Sequence, residues 1–179
     1  MNGNDIKKIL LTECELDNIC TRLGQQISMD YEGKNLLLVS VLKGAVVFMS
    51  ELMRKITCDC VIDFMSVSSY SGTKTTGVVK FKKDLDINPD GMDILIVEDI
   101  LDSGITLSYL KKVLLDRNAS SIRICTLLDK PANRKADITA DYVGKIIPDE
   151  FVVGYGLDYN EKYRNLPYVG ILAPHVYSK

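Results

Sequence analysis

Residues 94–106 read Ile-Leu-Ile-Val-Glu-Asp-Ile-Leu-Asp-Ser-Gly-Ile-Thr, and this run joins an apolar strand to a helix through a short polar turn. The first backbone N–H groups of a helix have no partner within it, so with the helix dipole they form a seat for an anion. Glu98 and Asp99 stand just before this seat, where carboxylates can accept hydrogen bonds from hydroxyls or hold water around a magnesium ion. Asp102 is not needed for these contacts, so its carboxylate is available as a catalytic group.

The pattern of strand followed by helix recurs along the chain. A capping box formed by Thr12 and Glu15 predicts a helix to about Asp30 behind a short strand at residues 6–11. Apolar strands are predicted at 35–42, 61–67, 94–97 and 121–129, with helices after the first and third of these. Strands that alternate with helices favour a mainly parallel sheet covered on both faces. After Pro131 the pattern changes to short extended pieces, which predict a hood or an antiparallel edge at residues 142–147, 151–155 and 168–172.

Composition narrows the class of protein. With 179 residues, 46% hydrophobic and 26% charged, the chain suits one compact domain with a small lid or hood. A net charge of -2 argues against a large basic surface for nucleic acid, and no apolar run indicates a signal peptide or a membrane span. The five cysteines are scattered without Cys-x-x-Cys spacing and His175 is the single histidine, so a reducing cytoplasm is expected rather than disulfides or zinc.

The run at 94–106 resembles the phosphoribosyl pyrophosphate signature of the type I phosphoribosyltransferases, because strand, paired acids, hydroxyls and glycine occur together. The alternative is an ordinary connection between strand and helix with polar capping residues. The resemblance implies an α/β protein of the type I phosphoribosyltransferase fold, with a mainly parallel central sheet flanked by helices and a small hood subdomain. A single domain would then span residues 1–179, with its core at about 36–130 and its hood formed by the N-terminal segment and about 131–179.

Four more segments occur in the order typical of the hypoxanthine-guanine phosphoribosyltransferases, so that the resemblance covers about residues 36–172. They are Leu42-Lys-Gly-Ala45, Ser69-Tyr70, Lys130 and Phe151-Val-Val-Gly-Tyr-Gly-Leu-Asp-Tyr-Asn-Glu161. The last is the most discriminating, because other phosphoribosyltransferases share the phosphate loop but build the base-binding hood differently.

The resemblance implies a role for each residue at the sugar. Backbone N–H groups and two hydroxyls would bind the 5-phosphate at Ser103, Gly104, Ile105 and Thr106. Glu98 and Asp99 would bind the ribose hydroxyls and a magnesium ion. Asp102 would either accept the proton of the purine as a base or stabilise the charge there electrostatically. For these three acids the alternative is a solvated turn.

At the purine, the resemblance implies that Lys130 donates a hydrogen bond to the 6-oxo group, which selects against adenine. Phe151 would stack on the base and Val152 would supply backbone contacts, although an aromatic residue in an apolar run more often packs in a core. Asp158 would approach a second magnesium ion and the exocyclic edge of the base.

At the leaving group, the resemblance implies that Lys43 and Gly44 bind diphosphate through the backbone, with the peptide before Lys43 able to be cis. Arg164 would grip the pyrophosphate, and Ser69-Tyr70 would form a lid over the reaction centre. The alternatives are a helix-start turn with an exposed lysine for Lys43 and a surface charge for Arg164.

The function implied is purine salvage by magnesium-dependent transfer of 5-phosphoribosyl from phosphoribosyl pyrophosphate to hypoxanthine, and also guanine, giving inosine or guanosine monophosphate and pyrophosphate. Two alternatives stay open: a transferase that prefers xanthine, and a regulator of the same fold that senses phosphoribosyl pyrophosphate without turnover. The regulator would need a basic surface or an added DNA-binding module, and the sequence indicates neither. We expect a cytoplasmic homodimer or homotetramer with no nucleic-acid or membrane partner.

Overall fold

The computed structural model describes residues 4–69 and 79–178, with the backbone alone at 68, 69, 79 and 80. The described residues form two sheets and four α-helices, with a 3-10 turn at Pro131–Asn133. The elements are β1 (Ile6–Leu11), α1 (Glu13–Asp30), β2 (Leu36–Leu42), α2 (Val46–Met53), β3 (Cys60–Ser69), β4 (Val79–Lys83), β5 (Asp93–Leu101), α3 (Ile105–Leu115), β6 (Ser121–Asp129), β7 (Tyr142–Ile146), β8 (Val152–Val153), β9 (Val169–Leu172) and α4 (Pro174–Tyr177).

The large sheet has six strands in the order β4-β3-β2-β5-β6-β7, and all its neighbours are parallel except β3 and β4. Its central strand β2 is buried from Leu36 to Val41, as a strand covered on both faces must be. One apolar cluster packs α1 and α2 on one face of the sheet, and a second packs α3 on the other. The predicted α/β architecture with a mainly parallel sheet is confirmed.

The first helix begins as the sequence predicts. The Glu15 carboxylate accepts a hydrogen bond from the Thr12 backbone N–H at 2.8 Å, and the Thr12 hydroxyl accepts one from the Glu15 N–H at 3.3 Å. The hydrogen bond from the Thr12 backbone also lowers the pKa of Glu15. Within the part of the chain that the structure describes, no helix combines the length and the apolar character that crossing a membrane requires.

The small sheet has three antiparallel strands in the order β1-β9-β8, which brings the N-terminal strand beside the C-terminal part of the chain. The strand β7 differs from expectation, because it lies parallel to β6 at the edge of the large sheet. The large sheet therefore continues past residue 130, into the segment expected to form the hood. Two neighbouring parallel strands are joined by a long crossover, which is usually an α-helix. Between β6 and β7 the crossover is the largely irregular segment 130–141. Because this segment has no α-helical pattern, the sequence did not predict a parallel strand after it.

All five cysteines are free thiols. Cys20 and Cys125 are fully buried, and this burial raises the pKa of both thiols. They therefore act as small apolar core residues.

Candidate active site

The loops that follow β2, β5 and β6 meet at one edge of the large sheet. A Cβ placed on Gly44 would collide with the Asp99 carboxylate, so the loop after β2 lies directly against the end of β5. The Lys130 N–H donates to the Leu101 carbonyl at 3.0 Å, which joins the loop after β6 to the same strand. Ligands of open α/β sheets bind at this edge, where the carboxyl ends of parallel strands converge.

The turn before α3 has the form that an anion seat requires. Gly104 adopts φ 77° and precedes the first residue of α3, and a side chain there would be both strained and within 2.5 Å of Ile138. A cavity of about 140 Å³ opens at this turn, and its lining includes Glu98, Asp102, Ser103, Gly104 and Thr106. Three of the four predicted phosphate-binding residues, Ser103, Gly104 and Thr106, therefore line one concave surface at a helix N-terminus.

Of the acids in this loop Asp99 is buried and Glu98 and Asp102 are partly buried, which argues against a solvated turn. Asp99 is 8% exposed and its carboxylate accepts a hydrogen bond from the Ile100 N–H at 2.8 Å. One carboxylate oxygen of Glu98 and one of Asp102 are inaccessible to water and accept no hydrogen bond from the described residues. Buried oxygens without donors are uncommon in folded proteins, and a ligand or ion is a usual partner for them.

Burial shifts the ionisation of the two adjacent acids. Desolvation, with the charge of Asp99 in second place, raises the pKa of Glu98 well above its ordinary range. Desolvation also raises the pKa of Asp99 to about 6, against the opposing effects of backbone hydrogen bonds and of the Arg164 guanidinium. Both effects follow from the high cost of placing a carboxylate in a poorly hydrated site.

The predicted purine-binding residues lie beside the end of β6. The Lys130 ammonium, 8% exposed, is 2.9 Å from the Asp149 carboxylate and donates to the Glu150 carbonyl at 3.2 Å. This bond brings Lys130 next to Phe151, whose side chain is 38% exposed and therefore is not a core residue. Val152 follows in β8, buried and paired with Ile171.

The predicted leaving-group residues form one charged network. The Arg164 guanidinium, 25% exposed, pairs with Asp158 at 2.8 Å and Glu161 at 3.3 Å and donates to the Gly156 carbonyl at 2.8 Å. The Lys43 ammonium reaches the same Glu161 carboxylate at 3.1 Å. Arg164 is thus fixed by three partners and is not a free surface charge. The peptide bond between Leu42 and Lys43 is cis.

The Asp158 carboxylate contacts both the Arg164 guanidinium and a backbone N–H group. Its second carboxylate oxygen accepts a hydrogen bond from the Glu161 N–H at 2.9 Å. Across residues 4–69 and 79–178 no three His, Cys, Asp or Glu side chains are grouped closely enough to hold a metal, so Glu98, Asp99 and Asp158 do not form a complete cage. Magnesium is commonly held by one or two carboxylates together with substrate phosphates, so these acids retain their predicted role as a hypothesis.

Three residues at this edge were missed by the sequence reasoning. Arg134 donates to the carbonyls of Leu101 and Asp102 and pairs with Asp129, so it holds the backbone that carries Asp102. Asp149 anchors Lys130, and Glu161 joins Lys43 to Arg164. Arg134 and Asp149 lie in none of the recognised segments, and Glu161 ends the segment 151–161 but was given no role. Of the expected lid, Ser69 ends β3 and Tyr70 lies outside the described residues.

Comparison with known proteins agrees with this geometry. The family model for the phosphoribosyl transferase domain matches residues 10–160. The chain is 56% identical to the hypoxanthine-guanine phosphoribosyltransferase of Staphylococcus aureus over 176 residues, which cover 98% of each protein.

Solved structures extend the comparison to three dimensions. A crystal structure of a hypoxanthine phosphoribosyltransferase from Staphylococcus aureus superposes with a TM-score of 0.96 at 55% identity and covers 100% of both chains. A hypoxanthine-guanine phosphoribosyltransferase from Bacillus anthracis superposes with a TM-score of 0.89 at 48% identity, covering 94% of this chain and 98% of the other. On the evidence of these relatives, the chain belongs to the hypoxanthine-guanine phosphoribosyltransferases, pentosyl-transferring enzymes of the type I phosphoribosyltransferase family.

Proposed function

We propose that this protein transfers the 5-phosphoribosyl group from phosphoribosyl pyrophosphate to hypoxanthine and guanine with magnesium, giving inosine or guanosine monophosphate and pyrophosphate. One observation carries the proposal. The turn at 103–106, which suits an anion, lies at the same edge of the sheet as the exposed ring of Phe151 and the hydrogen-bonded ammonium of Lys130. A sugar phosphate and an oxo-bearing base therefore find complementary groups side by side.

The sugar would bind with its 5-phosphate in the turn before α3. There the N–H groups of the first helical turn and the hydroxyls of Ser103 and Thr106 would donate hydrogen bonds to the phosphate oxygens. The ribose hydroxyls would then lie toward Glu98 and Asp99, where a hydroxyl can supply the hydrogen bond that the buried Glu98 oxygen lacks among the described residues. The diphosphate would extend toward Lys43, Gly44 and Arg164.

The chemical step exchanges one bond at the anomeric carbon for another. The purine nitrogen forms a bond to this carbon while the bond to the diphosphate oxygen breaks, and the nitrogen sheds its proton. Asp102 offers a buried carboxylate oxygen with no donor from the described residues, in position to accept that proton or to stabilise the developing charge.

The donor set at this site fits magnesium. Glu98, Asp99 and Asp158 provide oxygen ligands only, as a hard divalent cation prefers. When bound, magnesium would neutralise charge on the departing diphosphate. The chain contributes the positions of Lys43 and Arg164, which present cationic groups to the same leaving group.

Base selectivity would come from Lys130. An ammonium can donate to the 6-oxo group of hypoxanthine or guanine, whereas the 6-amino group of adenine offers a donor in the same place. Asp149 and the Glu150 carbonyl hold the ammonium beside Phe151. The lysine is therefore restricted before the base arrives.

A spectrophotometric assay tests the proposal directly. We expect nucleotide and pyrophosphate to form from phosphoribosyl pyrophosphate with hypoxanthine or guanine in the presence of magnesium, much less with adenine, and to stop when the metal is chelated. Binding of phosphoribosyl pyrophosphate without turnover of any purine would instead identify a regulator. Xanthine turned over faster than hypoxanthine would replace the proposed base preference.

Asp102→Asn tests the catalytic assignment. We expect kcat to fall by about 10²- to 10⁴-fold, because an amide cannot accept the purine proton, while the affinity for phosphoribosyl pyrophosphate changes little. Single-turnover rates and calorimetric titration with the sugar measure the two quantities separately. An unchanged rate would remove Asp102 from the mechanism.

We further propose that the protein acts in the cytoplasm as a homodimer or homotetramer. Its free thiols suit a reducing compartment. Sedimentation equilibrium at micromolar concentration measures the assembly state, and a monomer across that range would contradict it.

A further inference from the structure

The Phe151 ring is contacted by two tyrosines of the C-terminal part of the chain. The ring of Tyr177 lies nearly parallel to it, with centroids 5.2 Å apart and planes at 24°. The ring of Tyr159 meets it nearly at a right angle, with centroids 5.6 Å apart and planes at 89°. Both geometries are favoured arrangements of aromatic pairs, so Phe151 has a defined orientation although more than a third of its side chain is exposed.

Tyr177 belongs to the packing of the small sheet. It is the last residue of α4 and packs, with Tyr159, against a cluster formed by Val153, Leu166, Leu172 and Tyr163. The strand leading to α4 also holds the backbone of Phe151, because the Leu172 N–H donates to the Phe151 carbonyl at 2.8 Å. The two stacked rings are therefore carried by elements joined through one hydrogen bond.

The beginning of α4 is fixed independently. The Ala173 N–H donates to the Asp5 carbonyl at 2.8 Å, and the Asp5 carboxylate accepts a hydrogen bond from the Tyr163 hydroxyl at 3.0 Å. The N-terminal segment thus holds the start of the helix that carries Tyr177. This arrangement limits the freedom of Tyr177 to move away from Phe151.

A flat base stacks well only on a ring that already has the correct tilt. A half-exposed phenylalanine would otherwise rotate, and ordering it would reduce the binding free energy available to the base. Tyr177 covers one face of Phe151, which leaves the opposite face for a purine held by Lys130. The expected bound state is a stack of three rings, with Tyr177 behind Phe151 and the purine in front.

We propose that Tyr177 is a positioning residue for the purine, acting through Phe151, with Tyr159 as its lateral support. The inference rests on the proposed role of Phe151 as the ring that stacks on the base. It adds a residue outside the base pocket to the determinants of base affinity, and it assigns α4 a part in substrate binding.

The test compares Tyr177→Leu with Tyr177→Phe. Leucine removes the stacked ring, so we expect the KM for hypoxanthine to rise about three- to tenfold while the KM for phosphoribosyl pyrophosphate stays within twofold. Phenylalanine keeps the ring and should restore the KM of the unmodified protein. A lower KM for hypoxanthine in Tyr177→Leu would show that Tyr177 competes with the base and would overturn the proposal.

A double-mutant cycle separates this inference from the proposed function. In a Phe151→Leu background, Tyr177→Leu should add less than a twofold further change in the KM for hypoxanthine, because its effect passes through the missing ring. Full additivity of the two changes would overturn a role through Phe151. If Phe151→Leu alone leaves the KM for hypoxanthine unchanged, the base site itself is wrongly assigned.

Loss of fold is monitored in the same variants. Calorimetric titration with phosphoribosyl pyrophosphate reports on the turn before α3, which is formed by residues between β5 and α3 and not by α4. We expect Tyr177→Leu to retain this binding within twofold. Joint loss of sugar binding and base affinity would show that Tyr177 acts only through stability and would overturn the proposal.

Discussion

Arg134 bonds the backbone that carries Asp102, the carboxylate proposed to take part in the reaction. Its guanidinium donates to the carbonyls of Leu101 and Asp102 and pairs with Asp129, so three acceptors at the ends of β5 and β6 depend on one planar fork. Lysine carries the same charge, but its ammonium is compact and its N–H donors rotate, whereas the donors of a guanidinium have fixed directions. The backbone on either side of Asp102 is therefore positioned by shape as well as by charge.

We predict that Arg134→Lys lowers kcat about 10- to 100-fold, because a displacement of about 1 Å at a reacting group is sufficient for such a loss. The affinity for phosphoribosyl pyrophosphate should fall much less, since the N-terminal turn of α3 is unchanged. Arg123→Lys is the matched control, because Arg123 bonds Tyr142 and Asp30 instead of the site. Equal kcat values for the two variants would show that Arg134 has no positioning role.

Among the elements, the turn after β8 and the loop after β2 are in direct contact. Gly156 adopts φ 101°, and a Cβ there would collide with the Gly44 carbonyl. The Gly156 carbonyl in turn accepts a hydrogen bond from Arg164. The turn at Gly156, which bonds the predicted diphosphate-binding residue Arg164, and the predicted diphosphate loop at Gly44 therefore support each other through their backbones.

We predict that Gly156→Ala raises the KM for phosphoribosyl pyrophosphate about tenfold and lowers the free energy of unfolding by about 1–3 kcal/mol, because the new methyl group displaces the loop and the backbone is strained. Gly91→Ala is the control. Gly91 also has a positive φ of 71°, but a Cβ added there would meet nothing within 4 Å, so only stability should change. A tenfold rise in KM for both variants would attribute the effect to strain alone.

For the molecule as a whole, two groups of acids change the free energy of unfolding with pH in opposite directions. Hydrogen bonds from backbone N–H groups lower the pKa of Asp63 despite its burial, and the bond from Arg117 lowers that of Asp84, so both stabilise the fold above their ordinary pKa and lose this effect in acid. Glu98 and Asp99 have raised pKa values in the folded state. Their contribution is fully present below the unfolded pKa and is lost as the pH rises through the folded pKa.

We predict that, without ligand or metal, the free energy of unfolding falls as the pH rises from about 4 through 6, the range that begins at the ordinary carboxyl pKa and passes the raised value of Asp99. Glu98→Gln should reduce this fall and stabilise the protein at pH 7 by about 1–3 kcal/mol, since glutamine has no carboxyl group whose ionisation burial opposes. Urea denaturation at several pH values measures the free energy of unfolding of each variant. Glu32→Gln, at an exposed position, should follow the unmodified protein, and parallel curves for all three would contradict the prediction.

Features that depend on neighbours in the chain were predictable from the sequence. The capping box of Thr12 and Glu15, the strand β6 at Ser121–Asp129 and the turn at Gly104 all arise from residues within a few positions of one another. Their patterns therefore carried enough information for a mainly parallel sheet flanked by helices to be expected. The family followed from the same local motifs.

Features made by distant residues were not predictable in this way. The edge position of β7 depends on a crossover without an α-helix, Arg134 and Asp149 lie outside the recognised motifs, and the contact of Glu161 with Lys43 joins two separate motifs. The stack of Tyr177 on Phe151 joins α4 to the start of β8 across 26 positions of sequence. Side chains of this kind become recognisable only when their partners are known.

Local chemistry along the chain was thus sufficient to specify an anion seat, its flanking acids and an α/β sheet, because helix termini, periodicity and turns are properties of contiguous residues. Packing in three dimensions alone determined how that turn lies relative to Lys130 and Phe151. Burial removes water from Glu98 and Asp99 and changes their pKa, and it places Arg134 and Tyr177 beside groups far away in sequence. The physical reason is that desolvation and contact between side chains depend on distance in space, which a linear pattern does not contain.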